Sequence, residues 1–330
     1  MRKIFTLMGA LTLLLLAAAS CTNGKEWHRE EGAVWATSYH ITYYGDCDLA
    51  DSIQWVLSRV ESSLSPFDKQ STISRINDNR CDSTDALIDS VMRISLAVNR
   101  LSGGRFDPTV SPIVNLWGFG YTGHPRDGHA TEPTQAQIDS ALSLVGLAEC
   151  RIEGGRMRKK APGTSFNFSA VTKGFGCDMI GRMLRRNGVT DYMIEIGGEM
   201  ALSGTNPRNK PWRVQIDAPV EGATPGARGM RVIELTDCGV ATSGNYRNFL
   251  TDSAGRHLGH TISPVTGRPY QAEIVSATVV APTCAEADAL ATACMASTLP
   301  QARKMLLSLK GVKAILAIAE ADSLRVINIE

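Results

Sequence analysis

The sequence has almost no net charge and no long block of like charge. Its 34 lysines and arginines nearly match its 33 aspartates and glutamates, which leaves a formal charge of +1 at pH 7. Nucleic-acid-binding chains usually carry a basic stripe or patch, and none is visible here, so we expect no nucleic-acid partner. The 330 residues are 43% hydrophobic, which suffices for one large domain or two modest ones.

Common nucleotide and cysteine motifs are also missing. No GxGxxG follows a strand-like run and no GxxxxGK[ST] occurs, which argues against Rossmann and P-loop sites. The 8 cysteines are scattered and form no CxxC, so the sequence predicts neither a metal-binding nor a disulfide framework. Most of these cysteines are expected to be small buried hydrophobic residues.

One long apolar run is present, at the start of the chain. "MRKIFTLMGALTLLLLAAASC" has a basic beginning, an apolar stretch and small residues before Cys21. It predicts a signal peptide over residues 1–20, too short for a spanning helix. The small residues before Cys21 resemble a lipoprotein lipobox, which predicts lipidation of Cys21 and a polar tether over 21–32. The alternative is an ordinary cleaved signal followed by an unrelated cysteine.

Strand-like and helix-like runs alternate without a strict βαβ rhythm, which favours an α+β fold with mixed sheets and packed helices in one domain, 33–330. The strand-like runs are 38–44, 192–198, 212–217, 231–236, 274–282 and 313–319. The helix-like runs are 49–63, 87–101, 135–145, 173–187, 285–298 and 300–309.

The helix-like stretch "AEADALATA" carries a carboxylate on an otherwise small, apolar surface. Asp288 shares a helix face with Ala291 and Thr292, three and four residues later. If that face is buried, the charge must be neutralised. A hard cation bound by Asp288, the Thr292 hydroxyl and a backbone carbonyl would do so. The alternative is an acid favoured in an early helical turn by the helix dipole.

Three other segments offer polar groups. In "FNFSAVTKGFGCDMI", Lys173 stands near a helix start, where an anion can meet free backbone N–H groups; the alternative is a solvated surface lysine. "GVATSGNYRNF" predicts a tight polar turn containing Ser243 and Gly244. His260 precedes a loop rich in proline and glycine, and is either catalytic or structural.

Together these segments resemble the ApbE-type flavin transferases. The resemblance covers about residues 33–299, in order. Its blocks are "TSYHITYYG", "LSPFDKQSTISRIN", "SGGRFDPTVSPIVNLWGFG", "SAVTKGFGCD", "IEIGGEM", "VATSGNYRNF", "HTISPVTGRP" and "SATVVAPTCAEADALATA". It implies a single ApbE-like (T-fold-like) catalytic domain.

The resemblance also implies site residues. Magnesium would be held by the carbonyl of Ala170, by Asp288, by the main chain of Ala291 and by Thr292. Contacts to FAD are implied for Trp35, Phe67, Arg105, Phe106, Asp107, Asn167, Lys173, Gly197, Gly198, Ser243, Gly244, His260 and Ile262. Asp288, Lys173 and His260 would be catalytic, with His260 as general base.

Three positions depart from the family pattern. Trp35-Ala36-Thr37 replaces a common "MGT", so a contact with the flavin end is expected to be rebuilt. Asn167 replaces an aspartate, which weakens one polar contact. Ser263 replaces the aspartate of "HIIDP", which removes a carboxylate near His260 and predicts a different rate or pH profile.

Members of this family are exported bacterial enzymes, often lipoproteins. The resemblance implies Mg²⁺-dependent transfer of FMN from FAD to a threonine or serine hydroxyl of a target protein, with release of AMP. It also implies a lipid-anchored location facing the periplasm, and targets such as Nqr- and Rnf-type electron-transfer subunits. Two alternatives stay open: a Mg²⁺-dependent FAD pyrophosphatase giving FMN and AMP, and a non-catalytic flavin-binding lipoprotein.

Overall fold

The structure, a computed structural model, describes residues 24–121, 132–219, 229–244, 249–251, 257–270, 273–320 and 323–330. The predicted signal peptide and Cys21 lie outside the described residues. Within the described ranges, no helix combines the length and the apolar character that crossing a bilayer requires.

The helices of the described residues include all six that the sequence predicts, with shifted ends. They are α1 (Ala50–Leu64), α2 (Thr72–Asn77), α3 (Ala86–Leu101), α4 (Ser111–Leu116), α5 (Gln135–Leu142), α6 (Ser169–Arg186), α7 (Cys284–Met295) and α8 (Leu299–Leu307). Helix α6 begins at Ser169, four residues before the predicted start. Asn167 accepts a hydrogen bond from the N–H of Ser169 at 2.9 Å, which forms a turn that leads into the helix.

The strands likewise include all six predicted ones. They are β1 (Glu26–Val34), β2 (Thr37–Gly45), β3 (Arg151–Glu153), β4 (Arg156–Arg158), β5 (Tyr192–Ile196), β6 (Glu199–Ser203), β7 (Trp212–Asp217), β8 (Gly229–Leu235), β9 (Cys238–Gly244), β10 (Phe249–Thr251), β11 (His257–Gly259), β12 (Ile274–Ala281), β13 (Lys313–Glu320) and β14 (Ser323–Ile329).

Eight of these strands form the central sheet, in the order β1-β2-β5-β6-β9-β12-β13-β14. Every neighbouring pair in it is antiparallel. The prediction of mixed sheets is therefore wrong in this respect. Three of the pairs are hairpins, β1–β2, β5–β6 and β13–β14, and a tight hairpin permits only antiparallel pairing.

The polar N-terminal segment joins the sheet instead of forming a tether. The sequence predicts a tether through residue 32, but β1 begins at Glu26 and pairs with β2 along its whole length. Trp35 and Ala36 link the two strands with φ of 48° and 61°, the left-handed conformation of two-residue hairpins. Trp27 also packs on Tyr44, with ring centroids 5.2 Å apart. Pairing and ring contacts outweigh the polarity of the segment, which is a half-exposed edge strand.

Helix α7 is buried on nearly every side. Ten of its residues are buried, five of them alanines, as expected of a helix enclosed by other elements. Glycines allow this close approach: a Cβ at Gly174 of α6 would lie 2.4 Å from the carbonyl oxygen of Cys284, and one at Gly239 of β9 would lie 2.1 Å from its nitrogen. The fold thus brings α6, α7 and β9 to within backbone contact of each other.

Candidate active site

The interface of α6 and α7 holds a buried carboxylate. Asp288 is 2% exposed, and its Oδ2 accepts a hydrogen bond from the N–H of Gly174 at 3.1 Å. In a regular helix that N–H would point to the carbonyl of Ala170, four residues earlier. Burial raises the pKa of Asp288, while the charge of Lys173 and the Gly174 N–H oppose that rise. The carboxylate therefore has stabilising partners on α6, as the sequence analysis requires of a buried acid.

Lys173 forms an ion pair that the sequence analysis missed. Its Nζ lies 3.1 Å from Oε1 of Glu199, and Glu199 is 5% exposed. Burial of the ammonium lowers the pKa of Lys173, but the charges of Asp288 and Glu199 outweigh it and the net shift is upward. Lys173 is thus no solvated surface lysine: it is a half-buried charged group that is paired with Glu199 and is also acted on by the charge of Asp288.

Glu199 is the member of this group whose charged form is most opposed by its surroundings. Burial raises the pKa of Glu199, with the charge of Lys173 opposing the rise and that of Asp288 adding to it. Its Oε2 is buried, and no described group hydrogen-bonds to it. With both carboxylates ionised, the group carries two negative charges against the single positive charge of Lys173, and a bound cation would balance the excess.

The strand next to α7 completes the oxygen-rich region. The sequence predicts a polar turn around Ser243 and Gly244, but both residues belong to strand β9, so this prediction is wrong. Pairing with β12 gives the segment its backbone partners, with Ser243 opposite Ala277. The hydroxyl of Ser243 lies 3.2 Å from that of Thr292, one turn beyond Asp288 on α7. Ser243 and Thr292, predicted separately, do meet.

The donor set suits a hard cation. The described residues contain no group of three or more His, Cys, Asp or Glu side chains able to hold a metal. The available oxygens are instead the Asp288 carboxylate, the Thr292 hydroxyl and the carbonyls of Ala170 and Ala291 on the same two helices. Mg²⁺ is usually held by few protein oxygens together with substrate phosphates, so these residues fit it.

Two aromatic pairs lie on loops outside the α6–α7 interface. Phe67, in the loop after α1, is 69% exposed, and its ring meets Tyr121 edge to face at 6.0 Å. His260, just after β11, faces the ring of Phe119 at 6.5 Å between centroids. Both predicted contact residues are therefore near exposed or half-buried aromatic rings able to flank a planar ligand.

The "GRFD" segment has a structural role that the resemblance did not imply. The side chain of Phe106 is 2% exposed and belongs to the main core. Oδ1 of Asp107 accepts from the N–H of Thr109 at 2.8 Å, and Oδ2 accepts from the N–H of Leu147 at 3.0 Å. Arg105 donates to the carbonyl of Ser102 at 2.7 Å. These side chains hold the loop, because their partners lie inside the protein, and the contact of this segment with FAD stays a prediction.

The side chain of Ile262 is likewise occupied inside the protein. Its side chain is 5% exposed and packs in a small cluster with Trp117 and Ile138. Next to it, the hydroxyl of Ser263 accepts from the N–H groups of Val265 and Thr266 at 3.3 and 3.2 Å. An aspartate at this position would make the same kind of turn, so the replacement keeps the loop geometry.

The remaining predicted residues surround α6. The ring of Trp35 packs so closely on α6 that a Cβ at Gly176 would lie 2.6 Å from it. The indole N–H of Trp35 is buried, and no described group accepts from it. Gly197 and Gly198 form the β5–β6 turn with φ of 59° and 100°, values that favour glycine. That turn places Glu199 at the start of β6.

A pattern in the sequence could have identified Glu199. Side chains alternate between the faces of a strand, and Glu199 stands opposite Ile196 in the hairpin register, on the face that buries Ile194 and Ala201. A carboxylate at such an inward position requires a partner charge, and Lys173 supplies it.

Comparison with known proteins agrees with this geometry. The ApbE family model matches residues 35–316. A curated FAD:protein FMN transferase from Vibrio cholerae is 33% identical over 98% of this chain and 92% of its own length. One from Haemophilus influenzae is 32% identical over 88% of this chain and 86% of its own length.

A solved structure, the flavin transferase ApbE from Vibrio cholerae, superimposes with a TM-score of 0.81 at 29% identity, covering 92% of this chain and 97% of that one. The α+β class and the resemblance seen in the sequence are thereby confirmed. A family match over most of the length, a relative of 33% identity and a shared fold lead to one conclusion: the chain belongs to the ApbE family.

Proposed function

We propose that this chain transfers the FMN part of FAD to a threonine or serine hydroxyl of a target protein, in a Mg²⁺-dependent reaction that forms a phosphoester and releases AMP. The names of the curated relatives support transfer of FMN from FAD to a protein. The observation that carries the proposal is the group formed by the half-buried Lys173 and the buried Glu199 and Asp288, beside the Ser243–Thr292 hydroxyl pair. This arrangement is suited to holding a cation and a diphosphate together.

In the reaction, the acceptor hydroxyl oxygen bonds to the FMN phosphorus, and the bond from that phosphorus to the bridging oxygen breaks. AMP leaves with the bridging oxygen and the electron pair of that bond. Asp288 and Thr292, with the carbonyls of Ala170 and Ala291, would hold Mg²⁺. When bound, Mg²⁺ neutralises the diphosphate and polarises the phosphorus–oxygen bond.

The other residues act by charge and position. The ammonium of Lys173 stabilises negative charge that develops on the diphosphate oxygens in the transition state. His260 accepts the proton of the acceptor hydroxyl, which makes that oxygen nucleophilic. Phe67 stacks on a planar part of FAD and restricts the orientations that the bound FAD can adopt before the reaction.

Location and partners follow the same proposal. Cleavage before Cys21 and lipidation of that residue would anchor the chain to a bacterial membrane, facing the periplasm. Its targets would be exported flavoproteins such as Nqr- or Rnf-type electron-transfer subunits.

One incubation tests the reaction: the full chain with FAD, Mg²⁺ and a flavinylation-target domain, analysed by in-gel flavin fluorescence and by chromatography of nucleotides. Covalent fluorescence on the target with an equal amount of AMP supports the proposal. Free FMN with AMP and no labelled target would identify a pyrophosphatase instead. Unchanged FAD bound to the chain would identify a flavin-binding protein.

A further inference from the structure

Glu199 is a buried charged residue to which the proposed reaction gives no role. Its carboxylate meets Lys173 through Oε1 at 3.1 Å, while Oε2 has no hydrogen-bond partner among the described groups. A buried carboxylate that is half satisfied destabilises the fold unless its charge is used. Glu199 is therefore unlike the exposed acids of this chain.

The backbone around Glu199 fixes the carboxylate in place. It follows directly on the Gly197–Gly198 turn and pairs with Ile196 across the hairpin. The thiol of Cys177 on α6 donates to its carbonyl oxygen at 3.3 Å. Strand β6 and helix α6 are thus tied together one turn away from Lys173, so the carboxylate and the ammonium cannot easily separate.

Two anions therefore act on the Lys173 ammonium: Glu199, which is ion-paired with it, and Asp288, whose charge raises its pKa. Asp288 interacts with the same ammonium through its charge, and its carboxylate accepts from Gly174, the residue next to Lys173. Charges interact strongly where water is excluded. If Glu199 were neutral, the ammonium would have one anion left, Asp288, and would compete with any cation for it.

We propose that Glu199 is a positioning residue that holds the ammonium of Lys173 away from Asp288 and so keeps Asp288 available to a divalent cation. The proposal rests on the cation site of the proposed function. It assigns Glu199 a role outside the set of ligands, since partners of ligands and of nearby charges tune metal affinity.

A double-mutant cycle tests this role, with Mn²⁺ as the probe and electron paramagnetic resonance of free Mn²⁺ as the readout. The measurement uses the full chain without FAD or acceptor. Glu199→Gln is expected to weaken Mn²⁺ binding about ten-fold or more. Lys173→Gln should bind Mn²⁺ at least as tightly as the unsubstituted chain. In the double variant, affinity should return to within about three-fold of Lys173→Gln, because the competing ammonium is gone.

The return of affinity is the decisive result, since affinity lost because Glu199 itself binds the cation would not be restored by Lys173→Gln. Glu195→Gln is the matched control: Glu195 lies on the same hairpin but pairs with His40 at 2.6 Å, and its substitution should leave Mn²⁺ affinity unchanged. Thermal unfolding of each variant checks folding independently.

Three results would overturn the proposal. The first two are a double variant that binds Mn²⁺ as weakly as Glu199→Gln, and a Mn²⁺ affinity that does not change in Glu199→Gln. A chain without detectable Mn²⁺ binding would also overturn it. The cycle does not depend on catalysis. If the Mn²⁺ affinities are as expected but the chain transfers no FMN, the role of Glu199 is supported and only the proposed reaction is contradicted.

Discussion

The backbone N–H of Gly174 donates to Oδ2 of Asp288 at 3.1 Å, and this bond joins helix α6 to helix α7. It exists because residue 174 has no side chain: a Cβ there would lie 2.4 Å from the carbonyl oxygen of Cys284. Gly174 therefore sets the distance between the helix that carries Lys173 and the helix that carries Asp288.

Gly174→Ala should destabilise the protein, although alanine usually stabilises a helix by up to about 1 kcal/mol relative to glycine. The added methyl group meets backbone that cannot move away alone, so we expect a net loss of about 2 kcal/mol or more in the free energy of unfolding. Urea denaturation measures it. Gly181→Ala in the same helix is the matched control. The atom nearest to an added Cβ at residue 181 is the tip of a side chain, the Tyr192 hydroxyl at 2.9 Å, and not backbone. Equal losses in both variants would contradict the argument.

Asp288→Asn should reduce FMN transfer at least about a thousand-fold and remove its Mg²⁺ dependence, because the amide cannot supply the negative charge that the cation requires. The rate of AMP release, measured over a range of Mg²⁺ concentrations, tests this. Asp89→Asn, on the exposed face of α3, is the control and should behave like the unsubstituted chain. A variant at position 288 with normal Mg²⁺ dependence would remove Asp288 from the cation site.

The sequence predicted those spatial relationships of the site that lie within one helix. Asp288 and Thr292 share one helix, and their spacing alone places them on one face. Lys173 follows from its block in the family pattern. Glu199 did not follow, because its importance depends on a contact between strand β6 and helix α6, which are separate in sequence. The burial of Phe106 likewise depends on how its loop packs on the core.

Two local predictions were wrong because strand pairing overrides composition. The segment before residue 33 is polar and reads as a tether, yet its backbone finds partners along all of β2. The glycines and hydroxyls around Ser243 are typical of a turn, but pairing with β12 and packing against α7 keep that segment in a strand. In both places the decisive neighbours lie far along the chain.

Phe67→Ala should raise the KM for FAD about ten-fold while leaving the melting temperature unchanged. The ring is 69% exposed, so its removal costs little packing, whereas an aromatic contact with a bound ring contributes on the order of 1 kcal/mol. Steady-state kinetics and thermal unfolding test the two parts separately. Trp55→Ala, another exposed aromatic at 62%, is the control for a general surface effect. An unchanged KM would exclude Phe67 from the FAD site.

His260→Ala should slow FMN transfer about a hundred-fold or more. In the unsubstituted protein the transfer rate should fall on acidification, because a protonated imidazole cannot accept the hydroxyl proton. This fall should be absent in His260→Ala. The pH dependence of single-turnover transfer, with Mg²⁺ saturating, tests both effects. Binding of FAD should change little, which fluorescence quenching can check. An acid limb that persists in the variant would show that another group is the base.

Asp178 provides a test of pH-dependent stability away from the oxygen-rich region. Its carboxylate accepts from the N–H groups of Cys284 and Ala285, both at 3.0 Å, and so caps α7 from another helix. Burial raises its pKa to about 6, even though these two bonds oppose the shift. The folded carboxyl thus holds its proton more tightly than the unfolded one, whose pKa is about 3.9.

The stabilisation from this proton is complete below about pH 4 and is lost as the pH rises through about 6. Asp178→Asn cannot titrate but keeps an acceptor oxygen. Relative to this variant, the unsubstituted protein should lose unfolding free energy between about pH 4 and 6, by at most about 1.4 kcal/mol per pH unit. The difference should be constant above about pH 7. Urea denaturation at several pH values, with Asp89→Asn as control, measures this difference. Parallel stability curves for the unsubstituted protein and Asp178→Asn would mean that Asp178 is already charged at pH 4, in which case its two N–H bonds outweigh its burial.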